Sequence, residues 1–149
     1  MKPKRVNHSQ GSLLEARLSE LLDPQNRLRL LADLIDWKEL EGQLDCYFHS
    51  EKGAPGKPIR LVSGVLMLQH MTGLSDEQMA VGWIQNPYWQ YFCGYDYLQW
   101  KFPMDPSSLS RWRQRLGEEG LERILQATLK LALRLTLRKN SSAEGERKH

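Results

Sequence analysis

Only two cysteines occur among the 149 residues, Cys46 and Cys93, far apart and outside any Cys-x-x-Cys pair. Their scarcity excludes a disulfide framework, and both read as reduced core thiols. Cys46-Tyr47-Phe48-His49, with His70 and Cys93, offers zinc-compatible atoms but not the paired short spacings that close a tetrahedral site, so no metal and no cofactor is expected. No run of about eighteen apolar residues is present, which argues against a membrane-spanning helix. The basic start Met1-Lys2-Pro3-Lys4-Arg5 is followed by no apolar stretch of the kind that centres a signal peptide. The expectation is a soluble cytoplasmic protein with no membrane partner.

Catalytic signatures are missing as well. There is no Gly-x-Ser-x-Gly elbow, and no Cys or Ser is so placed relative to His as to suggest nucleophilic catalysis. Metal-assisted phosphoryl transfer needs carboxylates gathered on a rigid frame. Asp33, Asp36, Asp76, Asp96 and Asp105 are instead scattered over helix starts and loops, where capping explains Asp36 and Asp105. Gly53-Ala-Pro-Gly56-Lys57-Pro58 fails as a phosphate-binding P-loop: its glycines are too close, and Pro58 stands where Ser or Thr would hold magnesium. A plain linker or a basic arm for a minor groove remain as readings of that stretch.

What the chain does have is hydrophobic residues at 40% and charged residues at 26%, enough for one domain with a real core. The net charge of +3 is uneven: residues 104–149 carry 10 basic and 6 acidic groups, while 1–56 carry 8 and 9. A basic excess of this kind either attracts a polyanion or decorates a solvated helix face.

Apolar residues recur at three- and four-residue steps from Leu13 to Phe48, which predicts a helical hairpin or kinked series over residues 1–50, with Pro24 in the first turn of one helix and Asp36 capping the next. Residues 51–58 read as an exposed Gly/Pro loop. A helical unit over 59–138 follows. Its first helix is expected to stop at Gly73, and Ser75-Asp76-Glu77-Gln78 looks like a capping box for a helix that ends before Pro87. Residues 88–92 suggest a short helical turn and 94–105 an aromatic-rich loop. Another helix opens at Asp105-Pro106, is interrupted at Gly117 or Gly120, and gives way to a long one from Leu121 to Arg138. Alternating leucines from Leu129 to Leu137 also fit a strand. Residues 139–149 read as a disordered tail. The fold class is therefore all-α, a multi-helix domain with a helix-turn-helix-like arrangement interrupted by a long loop.

The helix at 106–116 is the most informative. At 100° per residue, Leu109, Trp112 and Leu116 share a buried face while Ser107, Arg111, Gln114 and Arg115 project from the other side. A major-groove reader needs such a ridge, because Arg pairs bidentately with guanine, Gln with adenine, and Ser with base or phosphate. Arg113 lies toward the flank, suited to a backbone contact, and Lys57 and Arg60 complete the candidate DNA-binding set. A solvated surface explains the same spacing without function. The helices at 59–71 and 75–85 with their tight turn form a helix-turn-helix skeleton, although about twenty residues intervene before the candidate recognition helix. Either the turn carries an insertion, or the likeness is local.

Several segments together resemble the N-terminal domain of InsH-like, IS-five-type insertion-sequence transposases. They are Gly56-Lys57-Pro58 before an apolar helix, Gly73-Leu74-Ser75-Asp76-Glu77-Gln78-Met79, Tyr91-Phe92-Cys93-Gly94, and Asp105-Pro106-Ser107-Ser108-Leu109-Ser110-Arg111-Trp112-Arg113-Gln114-Arg115-Leu116-Gly117. The resemblance covers roughly residues 35–130. It implies a helical DNA-binding domain that precedes a ribonuclease-H-like catalytic domain, with double-stranded DNA at terminal inverted repeats as partner. The segment 138–145 does not look like the start of that catalytic domain, so the expectation is a truncated, non-enzymatic transposase fragment. A different expectation is a helical interaction or dimerisation module that pairs through Leu121–Leu137, or through the N-terminal helices, with another copy or with full-length transposase.

Overall fold

The computed structural model describes residues 16–48 and 57–147, and among them it contains seven helices and no strand. These are α1 (Leu18–Leu21), α2 (Arg27–Leu34), α3 (Trp37–Phe48), α4 (Ile59–Thr72), α5 (Asp76–Gln85), α6 (Pro87–Phe92) and α7 (Ser108–Arg147). The expectations for residues 1–15 and for most of the Gly/Pro loop, 51–56, lie outside the described residues. No described helix is long and apolar enough to cross a membrane.

The core is organised around α4. Every residue from Leu61 to Leu68 on this helix is buried, and α3, α5, α6 and α7 all pack against it. A helix apolar on nearly all sides has to be enclosed. Its one buried hydroxyl, Ser63 Oγ, is satisfied by donating to Ile59 O at 2.6 Å, four residues back. The helix ends as expected at Gly73, whose φ of 72° accepts the left-handed stop. The capping box follows: Ser75 Oγ accepts from Gln78 N at 3.2 Å, and Gln78 Oε1 accepts from Ser75 N at 3.1 Å.

Asparagines, rather than prolines alone, set two of the other helix starts. Pro24 lies in a turn ahead of α2, not in its first turn, because Asn26 Oδ1 accepts from both Leu28 N and Arg29 N and so places the cap after the proline. Asn86 does the same for Tyr88 N and Trp89 N, which makes residues 87–92 a true helix with Pro87 at its first position. Asp36 caps α3 as expected, accepting from Glu39 N at 3.1 Å. Cys93 is a buried thiol, pushed up to about 12 by burial, but Cys46 is exposed on α3 and is not core material.

Between α6 and α7 the chain has no helix, and one buried amide holds it in place. Gln90 is fully buried, and its Nε2 faces Trp83 O at 3.2 Å, Ile84 O at 3.3 Å and Gln99 O at 3.0 Å. Its Oε1 accepts from Gln99 N at 2.7 Å. The loop's aromatics then close over the buried Trp83, with Tyr95 and Phe102 edge-on at 5.3 and 5.5 Å.

α7 has a break at Gly117 (φ 65°, ψ −173°), a backbone combination that essentially only glycine adopts. The break separates a short first arm from a long second arm. The second arm is helical throughout, including Leu129–Leu137, where the alternating leucines also allowed a strand, and it continues past Arg138 to Arg147, so that residues 139–147 of the expected disordered tail are helix instead. Ile124 and Leu131 are buried, and the arm packs along α3 and α2; burying every third or fourth residue is a helix's way of using such a sequence.

Replacing Gln90 by Leu strands the Gln99 N–H and the carbonyls it now serves. With each stranded buried group costing about 1–3 kcal/mol, the variant is expected to unfold at clearly lower denaturant while keeping its helical circular dichroism. An unchanged midpoint would show that the amide holds nothing.

Candidate nucleic-acid interface

The first arm of α7 is launched by Asp105. Its Oδ1 accepts from Ser107 N at 3.0 Å and from Ser107 Oγ at 2.9 Å, and its main-chain oxygen accepts from Ser108 Oγ at 2.6 Å. The backbone N–H of Ser107, ahead of its hydroxyl, holds the Asp105 carboxyl below its ordinary value. Leu109 and Leu116 are buried against the core. Between them Trp112 is half-buried and stacks on Phe48, with ring centroids 4.5 Å apart. The helix is thus pinned along one side, and Ser107, Ser110, Arg111, Gln114 and Arg115 are exposed on the other. The Arg115 guanidinium lies over the Trp112 ring at 5.3 Å, while Arg111 stands near enough to Asp105 to favour its charged form.

Arg113 takes a different course. Its Nη1 donates to Asp76 Oδ1 at 2.8 Å and to Gln69 Oε1 at 2.8 Å, and its Nη2 donates to Asp76 Oδ2 at 2.9 Å. Gln69 Nε2 donates in turn to Asp76 Oδ1 at 2.6 Å and to Leu74 O at 3.2 Å. One guanidinium therefore ties the end of α4, the start of α5 and the first arm of α7 together through a bidentate fork. The Arg113 hydrogen bond, ahead of the one from Gln69, lowers the Asp76 carboxyl from its ordinary value, and Asp76 raises Arg113.

Arg60 and Lys57 also face the protein. Arg60 donates from Nε to Phe92 O and from Nη2 to Tyr91 O, both at 3.2 Å, and its guanidinium sits 4.5 Å over the Trp37 ring. Burial lowers its pKa. Lys57 Nζ donates to Pro103 O at 2.7 Å, fastening the start of α4 to the loop ahead of α7. Of the seven residues singled out from the sequence, Ser107, Arg111, Gln114 and Arg115 share one exposed ridge. Arg113, Arg60 and Lys57 lie apart from it and serve internal contacts. Gln69 and Asp76, which orient the ridge through Arg113, carried no sequence signal for this role, since their partner lies far along the chain. Among the described residues no three of His, Cys, Asp and Glu stand together so as to hold a metal ion.

Residues 16–115 match the family described as Transposase domain (DUF772). The matched segment begins before α1 and ends with the exposed ridge of α7, so it takes in most of the core together with the candidate interface. A protein of Rhizobium meliloti described as uncharacterized protein ORF8 in the nfe locus is 35% identical over 144 residues, which cover 97% of this chain and 69% of that relative. No solved structure matches. The chain belongs to the DUF772 transposase-domain family.

Because the folded Asp76 carboxyl titrates below its unfolded counterpart, its contribution to stability is complete above the ordinary carboxylate range near pH 4 and is lost as pH falls through the folded value. Acid unfolding of Asp76→Asn is accordingly expected to show a weaker pH dependence below pH 4 than that of the parent chain. Arg113→Met is expected to cost about 1–2 kcal/mol in a denaturant titration at neutral pH, the lower part of the range for charged hydrogen bonds because the pair is partly exposed. Parallel acid limbs for Asp76→Asn and parent would refute the assignment.

Proposed function

We propose that this domain binds double-stranded DNA at the ends of an insertion element of the IS-five type, with the first arm of α7 as the reading helix, and that it contributes recognition rather than chemistry to transposition. The observation that carries the reading is the ridge: Arg111, Gln114 and Arg115 are exposed together on a helix whose opposite side is anchored by Leu109, Trp112 and Leu116. Arg and Gln are the side chains that pair bidentately with guanine and adenine edges in the major groove. Rigid presentation favours such pairing, because less freedom is given up on binding.

The order of elements supports a helix-turn-helix-like use of the fold. α4 and α5 follow one another across Gly73-Leu74-Ser75, and the Arg113–Asp76 pair joins α7 to them although residues 86–107 intervene. Four of the aspartates have structural employment: Asp36 and Asp105 cap helices, Asp76 pairs with Arg113, and Asp33 accepts from the Tyr91 hydroxyl. This favours a role in positioning the nucleic acid while cleavage and joining are carried out by other parts of a transposase.

A second reading, association with another copy or with a full-length transposase, is favoured by one feature of the second arm of α7. Leu129, Leu133 and Leu137 are 63, 62 and 60% exposed and stand four residues apart along one side. If this stripe pairs, Leu133→Glu converts a concentration-dependent dimer into a monomer in sedimentation experiments.

For the leading reading, Arg111→Ala together with Arg115→Ala is expected to weaken binding to an element-end duplex by about 1–3 kcal/mol for each base that the two arginines read, with helical content unchanged. Fluorescence anisotropy with an element-end duplex and a scrambled one measures the effect. Equal affinity of parent and double variant for the element end would exclude the ridge as the reader.

A further inference from the structure

From Arg123 to Ala143 the second arm of α7 carries five cations, Arg123, Lys130, Arg134, Arg138 and Lys139, and not one carboxylate. Solvated helices commonly interleave the two signs at four-residue spacing, where opposite charges support one another. Here that compensation is missing for two successive four-residue steps, from residue 130 to 138. Lys130, Arg134 and Arg138 fall along one line of the helix, about 6 Å apart along its axis. All three are exposed, and none makes a hydrogen bond or ion pair among the described residues. Arg123, at the near end, behaves as an ordinary structural cation: it pairs with Glu119 at 2.9 Å and reaches Gln43 O at 3.5 Å.

The packing of the arm fixes where this line points. Burial of Ile124 and Leu131 sets the helix rotation, and Lys130 and Arg134 then border a groove of about 230 Å³ between α7 and the α2–α3 corner. Asp36 and Glu39 stand on the groove's other wall and cancel part of the field there, but Asp36 already serves as the α3 cap. Arg138 lies beyond that groove, beside Leu135 and Leu137. The result is a row of like charge that winds by about 40° per step along one helix, with few countercharges nearby.

A linear row of evenly spaced cations suits a linear, evenly charged partner. Duplex DNA presents one negative charge per about 1.7 Å of its axis, so cations about 6 Å apart can each meet a phosphate without strain. An acidic protein matches the row only where its own carboxylates repeat at the same step, whereas duplex DNA of any sequence does so throughout. We propose that Lys130, Arg134 and Arg138 form a second DNA-binding surface, separate from the α7 ridge, that grips the phosphate backbone and carries no sequence information. The proposal rests on the DNA-binding reading of the ridge and adds to it a division of labour: the first arm discriminates, the second arm holds. Gly117 stands between the two arms and sets their helical phases independently.

The test uses the full chain and two duplexes, an element end and a scrambled sequence, with binding followed over a range of salt concentration. Lys130→Gln, Arg134→Gln and Arg138→Gln are combined in one variant, and Lys130→Gln alone serves as a milder control, with circular dichroism to confirm helix content. The triple variant is expected to show a plot of log affinity against log salt shallower by about 2.7, and the single variant by about 0.9, since each neutralised phosphate contributes about 0.9. The loss is expected to be the same on both duplexes, leaving their affinity ratio intact. An unchanged slope in a parent chain that does distinguish the duplexes overturns this inference and leaves the ridge reading standing. A loss confined to the element end overturns it too, by making the row a sequence reader. Displacement of DNA by poly-glutamate as readily as by competitor duplex of equal charge would assign the row to an acidic partner and also overturn it. If the parent chain binds neither duplex, the ridge reading fails and this one with it.

Discussion

The ion pair between Arg113 and Asp76 decides which way the candidate interface faces. A helix can bury its apolar stripe over a range of rotations, and Leu109 and Leu116 alone leave some of that range open. A bidentate fork between a guanidinium on α7 and a carboxylate on α5, with Gln69 of α4 donating to the same carboxylate oxygen, does not. A turn of one residue would carry Arg113 about 100° away from its partner. Partly exposed ion pairs add limited stability, so the structural value of this one lies in direction more than in energy. It orients Arg111, Gln114 and Arg115 outward because their neighbour is bound inward.

Two further sets of interactions complete the frame. Buried α4 is the post around which the other helices are placed, and its flanking cations are used as fasteners: Lys57 ties its start to Pro103, and Arg60 ties it to the end of α6. Gln90 then makes the stretch before α7 a fixed strap by occupying its own buried amide with the carbonyls of α5 and the backbone of Gln99. The residues between α5 and α7 are thereby held to the same core as the helices, which lets the first arm of α7 pack beside α4 and α5 although it stands at a distance from them in sequence.

α7 illustrates how one glycine lets a single run of helix do two things. Before Gly117 the helix is short, anchored on an aromatic stack and polar on its exposed side. After it the helix is long, with its exposed sides divided between leucines and cations. A continuous helix would couple the phases of the two arms. The left-handed break frees each arm to bury its own stripe.

Much of this was legible in the sequence wherever the information is local. Helical periodicity, the glycine stop at Gly73, the capping box at Ser75, the Asp36 cap, the interruption at Gly117 and the exposed set Ser107, Arg111, Gln114 and Arg115 all follow from side chains within one or two turns of each other, and the structure has them. Local signals failed where two of them competed: Asn26 overruled Pro24 as the organiser of the α2 start, and the leucine alternation at 129–137 could be read with either period until α3 and α2 supplied a surface for one of them. Cys46 read as core from its residue type and proved exposed, because its rotation on α3 is set by Leu40, Leu44 and Phe48. The sequence by itself determined an all-α chain, several of its helix ends and the chemistry carried by its ridge, but not the start of α2 or the end of α7. Only the tertiary structure decided that Arg113 and Arg60 serve the fold rather than the exposed ridge, since whether a cation is spent internally depends on a carboxylate, a ring or a free carbonyl brought to it from dozens of residues away.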